Sequence, residues 1–115
     1  MKQTRRGEAW FADVPGDKPR PVLVLTRDPM GSILHSVICA PITSTIRGLS
    51  TEVTLGAEAG LVRDSVANLD NVFLLRRARL VRRLGRAPET ALRVACEALA
   101  IATGCQGQGG GPTPE

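Results

Sequence analysis

Groups able to move protons or hold metals are few in this chain. His35 is its only imidazole, and Cys39, Cys96 and Cys105 are three thiols with no short metal-ligand spacing among them. A lone histidine and scattered carboxylates make no zinc, calcium or magnesium ligand set, so neither a metal nor a cofactor is expected. Arginine, by contrast, is abundant: of the 15 basic residues only Lys2 and Lys18 are lysines. A guanidinium is a flat, permanently charged fork that fits phosphate oxygens, as an ammonium does not. With a net charge of +4 and a pI near 9.6, this points to a polyanionic partner. A GC-rich genome would also raise arginine, so charge by itself leaves both readings open.

The elements that position these groups belong to one small domain. A chain of 115 residues fits a single domain, here residues 1–105, with a modest core that a dimer interface would help. Hydrophobic residues at 43% and charged residues at 23% describe a globular composition. Trp10, Phe11 and Phe73 are the only aromatics, so Val, Leu, Ile and Ala must build the core. No apolar leader and no bilayer-length run is present, which predicts a cytoplasmic protein without a membrane partner.

Glu8 to Asp13 reads as a first short strand, and Val14 to Pro19 as a Pro- and Gly-punctuated loop. Arg20 to Leu25 and Ser36 to Ile42 are β-branched apolar runs of buried strands, the first with its Pro at the entry. Cys39 within the second run reads as a small buried hydrophobe. Thr43-Ser44-Thr45 ends that strand before an exposed Ile46-Arg47-Gly48 turn, and Thr51 to Leu55 alternates like a half-exposed strand. Ser65 to Leu69 and Val72 to Leu75 are two further extended pieces; Leu80 to Leu84 is a third or a single helical turn. Pro88 then opens a helix at its first position, with Glu89 beside it. Leu92, Ala95, Cys96, Leu99 and Ala102 form its apolar stripe, and Gly104 stops it. Residues 106–115 are Gly- and Pro-rich without an apolar anchor, a composition that predicts disorder. Short strands followed by one helix predict a mostly β domain: a strongly bent antiparallel sheet or small barrel with a C-terminal α-helix packed on it.

Five local blocks go beyond pattern. Arg6 to Asp13 resembles the opening strand of the MazF/PemK toxins, and Arg20 to Asp28 their RPVLV strand with its polar follow-on. Ala40-Pro41-Ile42-Thr43-Ser44 resembles their strand end, and Asp64 to Asp70 their D-S-V-x-N-x-D segment. Leu84-Gly85-Arg86 before Pro88-Glu89 matches the family's closing element. The blocks stand in family order across residues 6–104. The resemblance implies an SH3-like barrel, a homodimer, metal-independent and sequence-selective cleavage of single-stranded RNA, and a cognate antitoxin that is acidic and partly disordered. The first loop is shorter than in many members and lacks their Gly-Ser-Glu element. Ala87 stands where many have a Ser or Thr helix cap, a change worth about 1 kcal/mol of helix stability.

RNA carries its own nucleophile, the 2′-hydroxyl, so the enzyme's task is largely positioning and charge stabilisation. By resemblance Arg20 and Thr43 are the catalytic residues. Arg20 can grip a phosphate through two hydrogen bonds, although its pKa above about 12 makes it a poor proton carrier. The Thr43 hydroxyl can bond a phosphate oxygen or its own turn. Ser44 has the same option. Arg27, Arg47 and Arg63 on loops can track the RNA backbone. Asp64, Asn68 and Asp70 can read base edges, orient Arg20, or simply form turns and caps. His35 lies outside the matched blocks and reads as an exposed loop residue rather than a general base. Trp10 reads as core rather than a base-stacking platform, and Arg76-Arg77…Arg82-Arg83 as a solvated face. Two other functions stay open on fold alone: a gyrase-binding toxin of related fold, and a nucleic-acid-binding barrel without catalysis.

Overall fold

The computed structural model describes residues 3–105. Seven strands, β1 (Glu8–Ala12), β2 (Arg20–Val24), β3 (Ser36–Thr43), β4 (Glu52–Leu55), β5 (Ser65–Asn68), β6 (Phe73–Arg76) and β7 (Leu80–Arg86), precede one helix, α1 (Glu89–Thr103). The apolar runs are strands because both faces of the sheet are covered. Leu23 joins Ala9, Ala40 and Ile42 on the face beneath α1, while Val22 and Val24 join Trp10, Ala12, Val37 and Cys39 on the other. Alternation along each strand sends successive side chains to the two cores.

Pairing is antiparallel throughout, in the order β4-β5-β3-β2-β1-β7. β3 is the hinge of the architecture: Cys39 to Pro41 pair with β2, while Ser36 to Cys39 pair with β6 and Ile42 and Thr43 with β5. Pro41, which has no N–H to donate, falls in the gap between the β6 and β5 ladders. β1 meets β7 with two register shifts, which bend the sheet strongly.

The sheet is not closed by hydrogen bonds between β4 and β7. The backbone at Ala59–Gly60 lies instead directly on Leu84–Gly85. A Cβ on Gly60 (φ +82°) would strike the Leu84 carbonyl, and one on Gly85 would come within 2.6 Å of the Ala59 carbonyl. Two glycines let one backbone seal the barrel against another.

Of the two readings left open for Leu80 to Leu84, the strand is the one found, spanning Leu80 to Arg86. Three local expectations change. Pro88 occupies the cap position rather than the first helical one, so Ala87 is not a missing cap. Ala87 is buried, and its N–H donates to the Gly7 carbonyl at 2.8 Å. Cys96 is exposed, because the buried face of α1 runs through Leu92, Ala95 and Ala98. Arg77, expected on a solvated face, is buried and donates through Nη1 to the Gly31 carbonyl at 3.2 Å. Cys39 is buried as expected, its thiol pushed up to about 12 by loss of hydration. Gly104 ends the helix in the left-handed region at φ +74°. The tail of residues 106–115 lies outside the described residues.

Candidate active site

The β2–β3 ladder sets Val22 against Pro41, Leu23 against Ala40 and Val24 against Cys39. Continuing that register past Pro21 and Ile42 brings Arg20 opposite Thr43. Both line a cavity of about 260 Å³ with Thr45, Arg47, Glu52, Asn68 and Asn71. Four residues expected at the site, Arg20, Thr43, Arg47 and Asn68, thus converge from four segments of the chain.

Arg20 is half-buried. Its Nε stands 2.9 Å from Asp17 Oδ2 and its Nη2 donates to Asp17 Oδ1 at 3.4 Å. The Nε atom is buried, yet its N–H is not aimed squarely at the carboxylate, so the contact is an ion pair more than a hydrogen bond. The Lys18 backbone N–H, and after it the Arg20 side chain, holds the Asp17 carboxyl below its usual range. Asp17 is therefore ionised at neutral pH and steers the guanidinium without consuming all its donors. The Thr43 hydroxyl accepts from the Thr45 N–H at 3.1 Å, which leaves its own hydrogen for a ligand. The turn-bonding role and the ligand-facing role of Thr43 are compatible.

Sequence reading missed Asp17 and Glu52. The Glu52 carboxylate accepts backbone N–H bonds from Arg47 (3.1 Å), Gly48 (2.8 Å) and Leu49 (3.2 Å). It thereby fixes the turn that carries Arg47 to the cavity rim. A glutamate just after a glycine turn is too common a pattern to have announced this.

On the other side of Thr43 lies a second cavity of about 310 Å³. Thr43, Ser44 and Arg63 line it together with Phe11, Leu61, Val62 and Arg82. The Arg82 guanidinium carbon is 5.6 Å from the Phe11 ring centroid, a cation–π contact.

The remaining predicted residues disperse. Asn68 lines the first cavity but also accepts from the Asp70 N–H at 2.9 Å, as a cap. Asp70 accepts the Thr51 hydroxyl at 2.6 Å and lines neither cavity. Asp64, Arg27 and His35 are exposed and also line neither. Trp10 is buried, its indole N–H donating to Glu8 at 3.0 Å. Among the described residues no group of three or more His, Cys, Asp or Glu could hold a metal ion. No described helix is long and apolar enough to cross a membrane.

A small bent antiparallel sheet, a terminal helix, and an arginine and a threonine lining one cavity define a compact β domain with a polar site. Residues 5–103 match the family described as PemK-like, MazF-like toxin of type II toxin-antitoxin system, and the chain belongs to that family. It is 45% identical over 102 residues to the probable endoribonuclease MazF2 of Mycobacterium tuberculosis, covering 88% of this chain and 99% of that protein. It is 42% identical over 101 residues to the probable endoribonuclease MazF5 of the same organism, covering 87% and 93%. Among solved structures it superposes on the Mycobacterium tuberculosis toxin MazF-mt6 with a TM-score of 0.80 at 36% identity, over 86% of this chain and 98% of that one. A mycobacterial endoribonuclease in complex with its cognate antitoxin gives a TM-score of 0.80 at 25% identity, over 90% and 97%.

Proposed function

We propose that this chain is the toxin of a type II toxin–antitoxin pair and cuts single-stranded RNA in the cytoplasm, with Arg20 and Thr43 as its catalytic residues. The observation that carries the reading is that Arg20 and Thr43, from the paired strands β2 and β3, line one cavity with Arg47 and Asn68. Family membership and endoribonuclease relatives at 45% and 42% identity support the activity.

In this reading the 2′-oxygen attacks the adjacent phosphorus, the O2′–P bond forms and the P–O5′ bond breaks. The proton leaves the 2′-hydroxyl and one is delivered to the departing 5′-oxygen. Arg20 stabilises the charge that builds on the phosphoryl oxygens, and the Thr43 hydroxyl donates to one of them. Arg47 and Arg63 hold neighbouring phosphates. Residues 1–105 act as one domain and work as a homodimer. The partner antitoxin is an acidic segment, disordered when free, that folds over Arg20 and Thr43 and imitates the RNA backbone.

The test is a long RNA incubated with the purified protein in excess EDTA. Cleavage should persist, with 2′,3′-cyclic phosphate or 3′-phosphate ends. Loss of cutting in EDTA, or 5′-phosphate ends, overturns the mechanism.

A further inference from the structure

We propose that the cavity beyond Thr43, between Phe11 and the Leu61–Arg63 loop, is a nucleobase subsite that reads the nucleotide next to the scissile phosphate. The proposal rests on the RNA-cleavage reading and extends it from rate to sequence choice.

The cavity abuts the candidate phosphate site, since Thr43 walls both. Its chemistry is that of an apolar slot with positive charge at the mouth. Phe11, Leu61, Val62 and Leu84 supply the slot, Arg63 and Arg82 the charge, and no carboxylate lines it. A flat π-system attached to a phosphate fits this combination, because the ring can stack while the guanidiniums meet the backbone. An acidic side chain would find charge there but no use for the slot. At about 310 Å³ the volume is at the small end for ligand sites, which begin at about 300 Å³.

Two contacts brace the walls. Arg82 lies over the Phe11 ring, and the backbone contact of Gly60 with Leu84–Gly85 roots the loop that carries Val62. Val62 is 97% exposed, the most exposed large hydrophobe among the described residues. An apolar side chain held in water at the mouth of an apolar cavity gains burial only when a ligand arrives. Discrimination between bases needs polar atoms as well. The exposed Ser44 hydroxyl supplies one, and Ser65, which donates to the Arg63 carbonyl at 3.0 Å, keeps its lone pairs for a base N–H.

The experiment is cleavage of a randomised single-stranded RNA pool by the full chain and by its Phe11→Ala and Val62→Glu variants, with the cut ends sequenced. Losing a base–aromatic stack typically weakens binding by about fivefold to a hundredfold. Phe11→Ala should therefore raise KM at the preferred sequence by a factor in that range, and Val62→Glu should raise it by placing a negative charge at the mouth of the slot. Both should also flatten the preference at one nucleotide position flanking the cut. Wild-type protein that fails to cut overturns the cleavage reading and this proposal with it. Wild-type cutting with preferences unchanged in both variants overturns the subsite alone. Should Phe11→Ala not fold, Val62→Glu decides, because its exposed side chain contributes nothing to the core. Unchanged preferences with impaired neutralisation by antitoxin would overturn the nucleobase and assign the slot to a protein side chain.

Discussion

Arginines crowd residues 76–86 more densely than any other segment of the chain, yet most of those with assigned contacts there are occupied with structure. Arg77 is buried and donates to the Gly31 carbonyl, Arg79 pairs with Asp13 at 3.0 Å, and Arg83 pairs with the buried Glu8 at 3.0 Å. Around Thr43 the arginines are sparse in sequence but convergent in space. Arg20, Arg47 and Arg63 arrive from three separate segments, and among the described residues only Arg20 of these has an ion-pair partner, Asp17. Charge paired one to one with a carboxylate of the fold is partly neutralised, while charge gathered around a cavity is available to a polyanion. Local density of basic residues is therefore a poor guide to an anion site, and convergence on one cavity is a better one.

The strongest way to break this contrast is Arg20→Ala. Removing one preorganised charge-stabilising donor costs about 10²–10³ in kcat. The substitution empties no core volume, so the melting temperature should stay close to wild type. Thr43→Val keeps shape and removes only the hydroxyl, so its loss of kcat should be smaller and in the same step. A folded Arg20→Ala protein cutting RNA at the wild-type rate would remove Arg20 from the site.

Glu52→Ala is the next largest effect. It withdraws the acceptor shared by three backbone N–H groups and frees the turn bearing Arg47. KM should rise by about tenfold while kcat changes little, since the turn positions substrate without touching the reacting atoms. Glu52→Gln keeps an acceptor oxygen and should restore most of the loss. An Ala variant whose kcat falls and whose KM does not would place Glu52 in the chemistry itself.

Arg47→Ala and Arg63→Ala should each weaken RNA binding and lower the slope of log K against log salt by about 1, the signature of one lost phosphate contact. Slopes unchanged in both would mean that neither side chain meets the backbone.

The strands were legible because apolar runs buried on both faces are continuous, and because Pro and Gly mark the loops between them. Arg20 and Thr43 were legible as members of family blocks, while their apposition needed the β2–β3 register, which no local pattern encodes. Asp17 was hidden although its partner Arg20 stands only three residues on, because an aspartate in a Pro- and Gly-punctuated loop reads as a turn former. Of the arginines read as a solvated face, Arg76, Arg82 and Arg83 are exposed as expected and Arg77 alone is buried. The ion pairs of Arg79 and Arg83 were hidden for a different reason. Asp13 and Glu8, their partners, come from the first strand and its exit, and the register shifts between β1 and β7 decide who meets whom. Pro88 was placed one residue too far into the helix, since cap and first-turn positions both tolerate a residue without an N–H.

The smallest expected effect is the most discriminating for the contrast drawn above. Arg79→Ala removes a charge from the densest basic segment, so any account based on local charge predicts weaker RNA binding. The contacts predict otherwise. Arg79 and Asp13 form a surface pair whose side chains are 42% and 57% exposed. Such pairs contribute about 0–1 kcal/mol, and the backbone bond from the Asp13 N–H to the Arg79 carbonyl at 2.9 Å survives the substitution. The melting temperature should fall by no more than about 4–8 °C, the shift that 1 kcal/mol produces in a domain of this size. KM for RNA and its salt slope should match wild type. A slope reduced by the same amount as in Arg47→Ala would mean that Arg79 also meets RNA, and that its ion pair with Asp13 opens to admit phosphate.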